Sequence, residues 1–269
     1  MPFLKLLRII FIFLRFRLNE IFPKEILPFW LKIVFFLSPF NLIPTNKKLG
    51  IRLAEALETA GPIFVKFGQL LSTRPDFLDE DVIQELQKFQ NNLKPFPSEE
   101  AIKIIEKDLG HPINELFAQF NESPLAAASI AQVHEATLKS GENVVVKVVR
   151  PNLDKKIKDD ISILKMIGKV ANTFDADARR LQLLEMIREY EYVITSEVDL
   201  KKEAGNTIQT AKFFEDSNLL YVPKVYLEYS SNKTLTLEKI EGIPVTDLKV
   251  LEDKNCLLYT SDAADDDTR

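Results

Sequence analysis

Residues 142–151, ENVVVKVVRP, constrain the fold more than any other part of the chain. Five of the seven residues 143–149 are valine, which is typical of a strand in the interior of a sheet. Strand alternation puts Lys147 on the same face as Val145 and Val149, so its ammonium group points where valines point. Burying an unpaired charge is costly. The pattern therefore predicts an anionic partner for Lys147, a carboxylate or a phosphate, or else an edge strand from which Lys147 reaches water.

Length and composition exclude several classes of protein. A chain of 269 residues is long enough for one large domain or two small ones with a sizeable core. The single cysteine, Cys256, excludes a disulfide framework, and the only histidines are His111 and His134, so no Cys/His metal cluster can form. A reducing cytoplasmic setting is therefore expected.

Charge is distributed unevenly along the chain. Residues 1–50 carry a net charge of +6 and the remaining residues −11, within an overall net charge of −5. A basic N-terminal segment followed by an acidic remainder indicates an anionic partner for the N-terminal segment.

Residues 3–18, FLKLLRIIFIFLRFRL, place Lys5, Arg8 and Arg15 on one side of a helix and apolar residues on most of the remainder. This pattern is typical of a helix that lies in a membrane interface, and we interpret residues 1–45 as membrane-proximal amphipathic helices. The uncharged run 9–14 is far shorter than the roughly 18–20 residues that span a bilayer. The alternative is that the aromatic side chains pack on the following domain. A nucleic-acid partner is disfavoured, because aliphatic residues separate the basic ones.

Helical periodicity dominates residues 46–120. It covers residues 47–71, with a break at Gly61-Pro62, and residues 81–93. Ser98 is expected to cap the next helix and Gly110 to end it. Everything up to about Phe120 is therefore predicted to be helical.

The pattern changes after Pro124. A small-residue loop, a strand, a turn at 139–142 and the Lys147 strand come first. Helical periodicity then returns at 157–170 and 181–206, followed by strand-like segments at 219–227 and 234–240. The prediction is an α+β fold.

Two antiparallel strands with a lysine in the second, followed by a helix with a glutamate, are typical of the nucleotide-binding half of a kinase-like domain. The loop before the first strand reads Ala126-x-Ala128-x-x-Ala131-x-Val133, the spacing of the kinase glycine loop with alanine at each glycine position. Alanine still offers backbone N–H groups to phosphates, although its Cβ disfavours positive φ.

These motifs together resemble the UbiB family of atypical kinase-like proteins, which is associated with ubiquinone biosynthesis. The K-x-G-Q signature of that family stands as residues 66–69 within GPIFVKFGQLLSTRPD, and its alanine-rich loop as PLAAASIAQVH at 124–134. The E-x-D signature stands as 197–199, and LTLEKIEGIPV resembles the hinge beside adenine. The resemblance runs from about Phe11 to Asn255. It implies a protein-kinase-like smaller lobe at 121–255, preceded by an all-helical extension at 46–120.

The resemblance also implies roles for individual residues. Lys147 would contact the phosphates of ATP or ADP and Glu203 would orient it. Lys66, with Gln69 in the same signature, would reach over the nucleotide and be held by Glu197 and Asp199. Glu238 and Ile240 would lie near the base, and His134 would be structural. The loop residues implied to bind the cofactor are Leu125, Ala126, Ala127, Ala128, Ser129, Ile130, Ala131, Gln132 and Val133.

The motifs of the family that this sequence matches belong to the helical extension and the smaller lobe, and the motifs of the larger lobe are not among them. A kinase-type site needs further aspartate and asparagine side chains to hold Mg²⁺, and these are expected in the missing part. Residues 256–269 resemble translated adapter sequence rather than a packed element, with an acidic disordered tail as the alternative. This chain alone is therefore expected to be inactive.

The resemblance implies an ATP-dependent atypical kinase or ATPase that supports ubiquinone biosynthesis at the cytoplasmic face of the inner membrane, peripherally bound through this part. Its expected partners are membrane lipid, isoprenoid quinone intermediates and other proteins of ubiquinone biosynthesis. The alternative is a non-catalytic module that binds nucleotide and isoprenoid lipid and assembles or extracts quinone intermediates for other enzymes. A membrane-surface scaffold is a third possibility.

Overall fold

The structure of the protein is a computed structural model. It describes residues 2–18, 33, 37–42, 45–74, 78–88, 95–174, 179–217, 220–243 and 247–254. The predicted tail at 256–269 lies outside these residues. The chain divides into two compact units, Met1–Glu238 and Lys239–Arg269, and the second contains the short helix α10 (Leu248–Asp253).

The first unit begins with helices. They are α1 (Pro2–Arg15), α2 (Leu49–Ala60), α3 (Pro62–Ser72), α4 (Glu80–Gln87), α5 (Ser98–Leu109) and α6 (Ile113–Leu116), with a 3₁₀ turn at Pro39–Leu42. The break at Gly61-Pro62 is confirmed, because Gly61 has a φ of 127° and Pro62 opens α3. Within the described ranges, no helix is long and apolar enough to cross a bilayer.

An antiparallel sheet follows, with strand order β1-β3-β4-β5 and β2 paired to β3. The strands are β1 (Phe117–Phe120), β2 (Ala126–Ala127), β3 (Ala131–Leu138), β4 (Asn143–Val149) and β5 (Thr234–Glu238). Helices α7 (Leu153–Phe174), α8 (Leu183–Glu197) and α9 (Leu200–Phe213) lie between β4 and β5 in the chain. The predicted antiparallel sheet with helices is confirmed.

The two faces of the sheet pack on different cores. Val144, Val146 and Val148 are fully buried and pack with Ala101 and Ile105 of α5. On the opposite face, Val149 and Leu235 belong to a larger core, which also contains apolar side chains of α1, α3, α7, α8 and α9. The alternation read from the valine run therefore corresponds to two buried surfaces.

Four local predictions need correction. Residues 117–120 form β1 rather than helix, because they pair with β3. Residues 181–206 are not one helix, since α8 ends at Glu197 and Leu200 begins α9. Ser98 is the first helical residue of α5 instead of its cap, and its hydroxyl donates to the Glu122 carbonyl. Within the described part of 219–227, Val225 makes only an isolated bridge to Leu237.

Candidate functional site

Lys147 lies in an interior strand, so the edge-strand alternative is wrong. In the register of the sheet Lys147 stands opposite Val133 of β3 and Leu235 of β5. Its Nζ donates to both carboxylate oxygens of Glu203, each at 2.7 Å. The two side chains are 30% and 38% exposed, so the pair is partly open to solvent. An ammonium group held in this way beside an open surface is able to contact an anionic ligand.

Asp199 fixes the position of Glu203, because it caps the helix that carries Glu203. It has extended backbone angles, and its carboxylate accepts a hydrogen bond from the Lys201 N–H as the N-cap of α9. Leu200 N–H donates to the Asn232 carbonyl at 2.9 Å, which ties the start of α9 to the segment before β5. Glu203 then falls in the first turn of α9, where the helix dipole favours a carboxylate. The break between α8 and α9 therefore aims Glu203 at the sheet.

The alanine-rich loop adjoins the Lys147 strand. Leu125 N–H donates to the Val133 carbonyl and Ala128 N–H to the Ala131 carbonyl, both at 2.8 Å. No residue of 124–134 has a positive φ, so alanine is accommodated here without backbone strain. Ser129 lies in the bend between β2 and β3, and Ile130 is buried.

Arg150 fastens this loop to β4, and the sequence reasoning missed it. Its side-chain Nε donates to the Ala128 carbonyl at 2.9 Å, and its backbone N–H donates to the Ile130 carbonyl at 2.8 Å. Its guanidinium lies over the ring of Phe96, 5.6 Å from the centroid. Partial burial lowers the pKa of Arg150 from its ordinary value. The sequence signal was present in the arginine that directly follows the valine run.

The side chains of Gln132 and His134 lie on the face of the sheet opposite Lys147. Both are fully buried, and their register partners are Val148 and Val146. The Gln132 side chain is therefore buried in the interior, and only its backbone is on the side of the sheet that carries Lys147.

The K-x-G-Q helix α3 packs against α8. Lys66 forms an ion pair with Glu197, with both side chains partly exposed. Gln69 lines a cavity of about 340 Å³ together with Lys66, Leu70, Tyr190 and Val193. The predicted Lys66–Glu197 contact is thus present, whereas Asp199 serves as the cap of α9 and lines a separate cavity of about 290 Å³ with Asp154, Lys158 and Lys233.

Tyr190, another residue that sequence reasoning missed, holds α3 in this position. Its hydroxyl donates to the Ile63 carbonyl at 2.6 Å, and its ring packs on Phe67 with centroids 5.3 Å apart. Burial raises the pKa of Tyr190, and the negative charges of Glu197 and Asp160 raise it further. Tyr190 therefore stays a neutral hydrogen-bond donor at the base of the Lys66 cavity.

The predicted hinge begins within β5, at Leu235. Glu238 pairs with Val144 and Lys147 pairs with Leu235, so three residues, roughly 10 Å of strand, separate the two positions. The Glu238 carboxylate accepts from the Tyr221 hydroxyl at 2.7 Å, which is the main reason that the pKa of Glu238 is lowered. Ile240 is exposed and belongs to the second compact unit.

The described residues contain no group of three or more His, Cys, Asp or Glu side chains that could hold a metal ion. The residues that would hold Mg²⁺ beside ATP stay a prediction.

Similarity to known proteins agrees with this arrangement. The sequence model of the ABC1 atypical kinase-like domain matches residues 88–260. The chain belongs to this family. It is 46% identical over 258 residues to the probable protein kinase UbiB of Pseudomonas aeruginosa strain UCBPP-PA14, covering 94% of this chain and 48% of that protein. It is 44% identical over 249 residues to the probable protein kinase UbiB of Marinobacter nauticus, covering 92% and 46%.

Both of these relatives are UbiB proteins, so the predicted resemblance to the UbiB family is confirmed. The chain spans about half the length of the curated relatives it matches. A solved structure of Rv3197 with erythromycin from Mycobacterium tuberculosis has the same fold, with a TM-score of 0.50 and 24% identity over 81% of this chain and 50% of that one.

Proposed function

We propose that this chain supplies the nucleotide-contacting part of an ATP-dependent atypical kinase or ATPase that supports ubiquinone biosynthesis at a membrane surface. The observation that carries the proposal is the Lys147–Glu203 pair, a two-pronged contact on an interior strand beside the alanine-rich loop. Kinase-like sites use such a pair to hold the α- and β-phosphates.

In the proposed complex Lys147 contacts the phosphates and Glu203 sets its direction. The backbone of 125–133 faces the same nucleotide, and the base lies toward Glu238 at the end of β5. Lys66 and Gln69 approach from α3, where Glu197 pairs with Lys66. Mg²⁺, when bound with ATP, would neutralise charge on the phosphates. Partners in this proposal are membrane lipid, isoprenoid quinone intermediates and proteins of ubiquinone biosynthesis, and the location is the cytoplasmic membrane face.

Calorimetric titration of the 269-residue chain with ATP and ADP tests the proposal. Lys147→Met removes the phosphate contact, and we expect it to weaken binding of both nucleotides at least tenfold. Lys165→Met is the matched control, because Lys165 also forms a partly exposed ion pair with a glutamate, Glu191, in the same unit. Equal affinities of wild type and Lys147→Met would contradict the proposal, as would equal losses in both variants.

A second candidate is a non-catalytic module that binds nucleotide and isoprenoid lipid. It is favoured by the cavity beside Lys66 and Gln69, whose walls include the apolar side chains Leu70 and Val193. ATP turnover by a full-length relative separates the two functions. Turnover that rises with an isoprenoid lipid supports the enzyme, whereas nucleotide binding without turnover supports the module.

A further inference from the structure

Arg150 directly follows β4 and comes three residues after Lys147. Its backbone N–H donates to the Ile130 carbonyl at 2.8 Å, so the pairing with β3 continues for one residue beyond β4. Pro151 disfavours helical backbone angles at the residue before it, and α7 begins only at Leu153. The side chain of Arg150 therefore leaves the sheet from a fixed point.

The guanidinium of Arg150 lies on the side of the sheet opposite Lys147. It lies over the ring of Phe96, 5.6 Å from the centroid, and the Phe96 N–H donates to the Gln132 side chain at 3.1 Å. Gln132 is fully buried and pairs with Val148, whose side chain packs on α5, as does Phe96. Because neighbouring residues of a strand point to opposite faces, the Lys147 side chain lies on the other face. The ring of Phe96 and the Arg150 guanidinium are thus on the α5 face.

One peptide group of the alanine-rich loop is held by Arg150. Its Nε donates to the Ala128 carbonyl at 2.9 Å, while the Ala128 N–H donates to the Ala131 carbonyl at 2.8 Å. Ser129 and Ile130 lie at the tip of the hairpin that joins β2 to β3. The peptide group between Ala128 and Ser129 is planar and trans, so its C=O and N–H point in opposite directions.

The direction of the Ser129 N–H follows from these contacts. The Ala128 carbonyl points toward the Arg150 guanidinium on the α5 face, so the Ser129 N–H points toward the face that carries Lys147. Within the described part of the chain, this N–H donates to no protein group. Backbone N–H groups at a loop tip bind anions well when no protein acceptor occupies them. Two donors, the Ser129 N–H and the Lys147 ammonium, therefore face the same side of the sheet.

We propose that Arg150 is a positioning residue for nucleotide binding. Its contact with the Ala128 carbonyl turns the Ser129 N–H toward the phosphates that Lys147 contacts, and Arg150 itself does not touch the nucleotide. A donor that is already aimed at the phosphate costs no reorganisation when the ligand binds. This inference rests on the proposed function, because it requires that Lys147 contacts phosphate.

The variant Arg150→Lys separates position from charge. Lysine keeps the positive charge, but it has a methylene group where arginine has Nε–H and no planar group to lie over Phe96. Calorimetric titration of the 269-residue chain should show about tenfold weaker binding of both ATP and ADP, the loss expected when one hydrogen bond to a charged group is removed. Unchanged affinities in this variant, with a wild type that binds, would overturn the inference and leave the proposed function intact. A wild type that binds neither nucleotide would overturn both.

Nuclear magnetic resonance of the Ser129 amide provides a readout that a purely structural role of Arg150 would not change. We expect the Ser129 amide proton to shift downfield when the wild type is saturated with ADP, because a hydrogen bond to phosphate deshields the proton. In Arg150→Lys this shift should be lost at saturating ADP. A full shift in the variant would rule out the positioning role, because the N–H would then reach the phosphate without Arg150.

The matched control is Arg179→Lys. The Arg179 guanidinium also donates to backbone carbonyls, those of Asn172 and Thr173, at 2.9 and 3.1 Å. Asn172 lies near the end of α7 that is farther from Arg150, roughly 28 Å along the helix from Leu153. The control should bind both nucleotides like the wild type and keep the Ser129 shift. An equal loss of affinity in both variants would contradict the inference, because it would indicate a general effect of replacing arginine.

A second variant, Phe96→Leu, tests the inference even if Arg150→Lys does not fold, which circular dichroism would reveal. Leucine keeps an apolar side chain against the α5 cluster but removes the ring over which the Arg150 guanidinium lies. We expect about threefold weaker binding of ATP and ADP, since a cation–π contact of this kind is weaker than a hydrogen bond to a charged group. Folded Phe96→Leu with wild-type affinities and a full Ser129 shift would overturn the proposed arrangement.

Discussion

His134 shows how a single buried side chain is fixed by its neighbours. The amide oxygen of Gln132 accepts the Phe96 N–H at 3.1 Å, so its amide nitrogen is left to donate to His134 Nε2 at 2.8 Å. His134 Nδ1 therefore carries the proton and donates to the Asn121 carbonyl at 2.9 Å. The ring also stacks on Phe120, with centroids 5.0 Å apart. Burial lowers the pKa of His134, because a charged imidazole would lose its hydration.

The lowered pKa of His134 makes stability depend on pH. As the pH falls below about 6.5, the unfolded chain binds more protons at this histidine than the folded chain does, so this contribution to stability is complete above that pH and decreases below it. We expect stability to decrease between pH 6.5 and 5.5 because of this residue, by at most about 1 kcal/mol. Urea unfolding of wild type and His134→Gln at both pH values measures it. The pH dependence should be smaller in the variant, and identical slopes would contradict the prediction.

At the scale of helices, α2 and α4 approach each other closely at Gly50. A Cβ there would lie 2.9 Å from both the Asp81 carbonyl oxygen and the Val82 Cα, which are backbone atoms that cannot rotate away. Gly205, in the exposed part of α9, has nothing within 4 Å of such a Cβ. Only glycine fits the first position, whereas alanine fits the second.

Alanine substitution at these two glycines should therefore change the free energy of unfolding in opposite directions. Gly50→Ala is expected to lower the free energy of unfolding by about 1–3 kcal/mol through overpacking. Gly205→Ala is expected to raise it by about 0.5–1 kcal/mol, because alanine has the higher helix propensity. Chemical unfolding of both variants, followed by far-ultraviolet circular dichroism, compares them. If Gly50→Ala is as stable as wild type, α2 and α4 are not in tight contact.

At the scale of the whole molecule, one core connects the N-terminal helix to the sheet. Ile9, Ile12 and Leu18 belong to the same buried cluster as Tyr190 of α8 and Leu235 of β5. The aromatic and aliphatic residues near the N-terminus thus pack in part on the domain that follows, as one alternative from the sequence proposed. Stability of α1 and of the lobe that contains the sheet should therefore be coupled.

Two pairs of substitutions in α1 test this coupling. Ile9→Ala/Ile12→Ala removes buried side chains and should lower the free energy of unfolding by about 4 kcal/mol or more. Leu7→Ala/Ile10→Ala removes side chains that are 45% and 36% exposed and should change it by about 0.5 kcal/mol or less. Urea unfolding of both variants gives the comparison. A main transition at the wild-type midpoint in Ile9→Ala/Ile12→Ala would mean that α1 frays independently.

Local pattern was enough to find several elements of this protein. The valine run predicted β4, and Lys147 within it predicted an anionic partner, which the structure identifies as Glu203. Gly110 predicted the end of α5, where its φ of 79° is left-handed. Each of these features depends on residues next to one another in the chain, so the sequence carries the signal directly.

Long-range contacts were beyond the reach of local pattern. β1 was predicted as helix, because its strand conformation depends on pairing with β3, whose residues come later in the chain. The partner of Lys147 lies 56 residues away, and its identity came from family resemblance rather than from spacing. Tyr190 was missed for the same reason, since its hydrogen bond to Ile63 spans 127 residues.

The sequence by itself determined that α1 is an amphipathic helix, that β4 is a strand and that Lys147 needs either an anionic partner or an edge position. Only the tertiary structure decided which side of α1 is exposed. Both Ile9/Ile12 and Leu7/Ile10/Phe11 are apolar, so periodicity alone does not choose between them. Asp159, Asp160 and the Thr59 carbonyl make the choice, because they lie on α7 and α2 and draw Lys5 and Arg8 toward the protein.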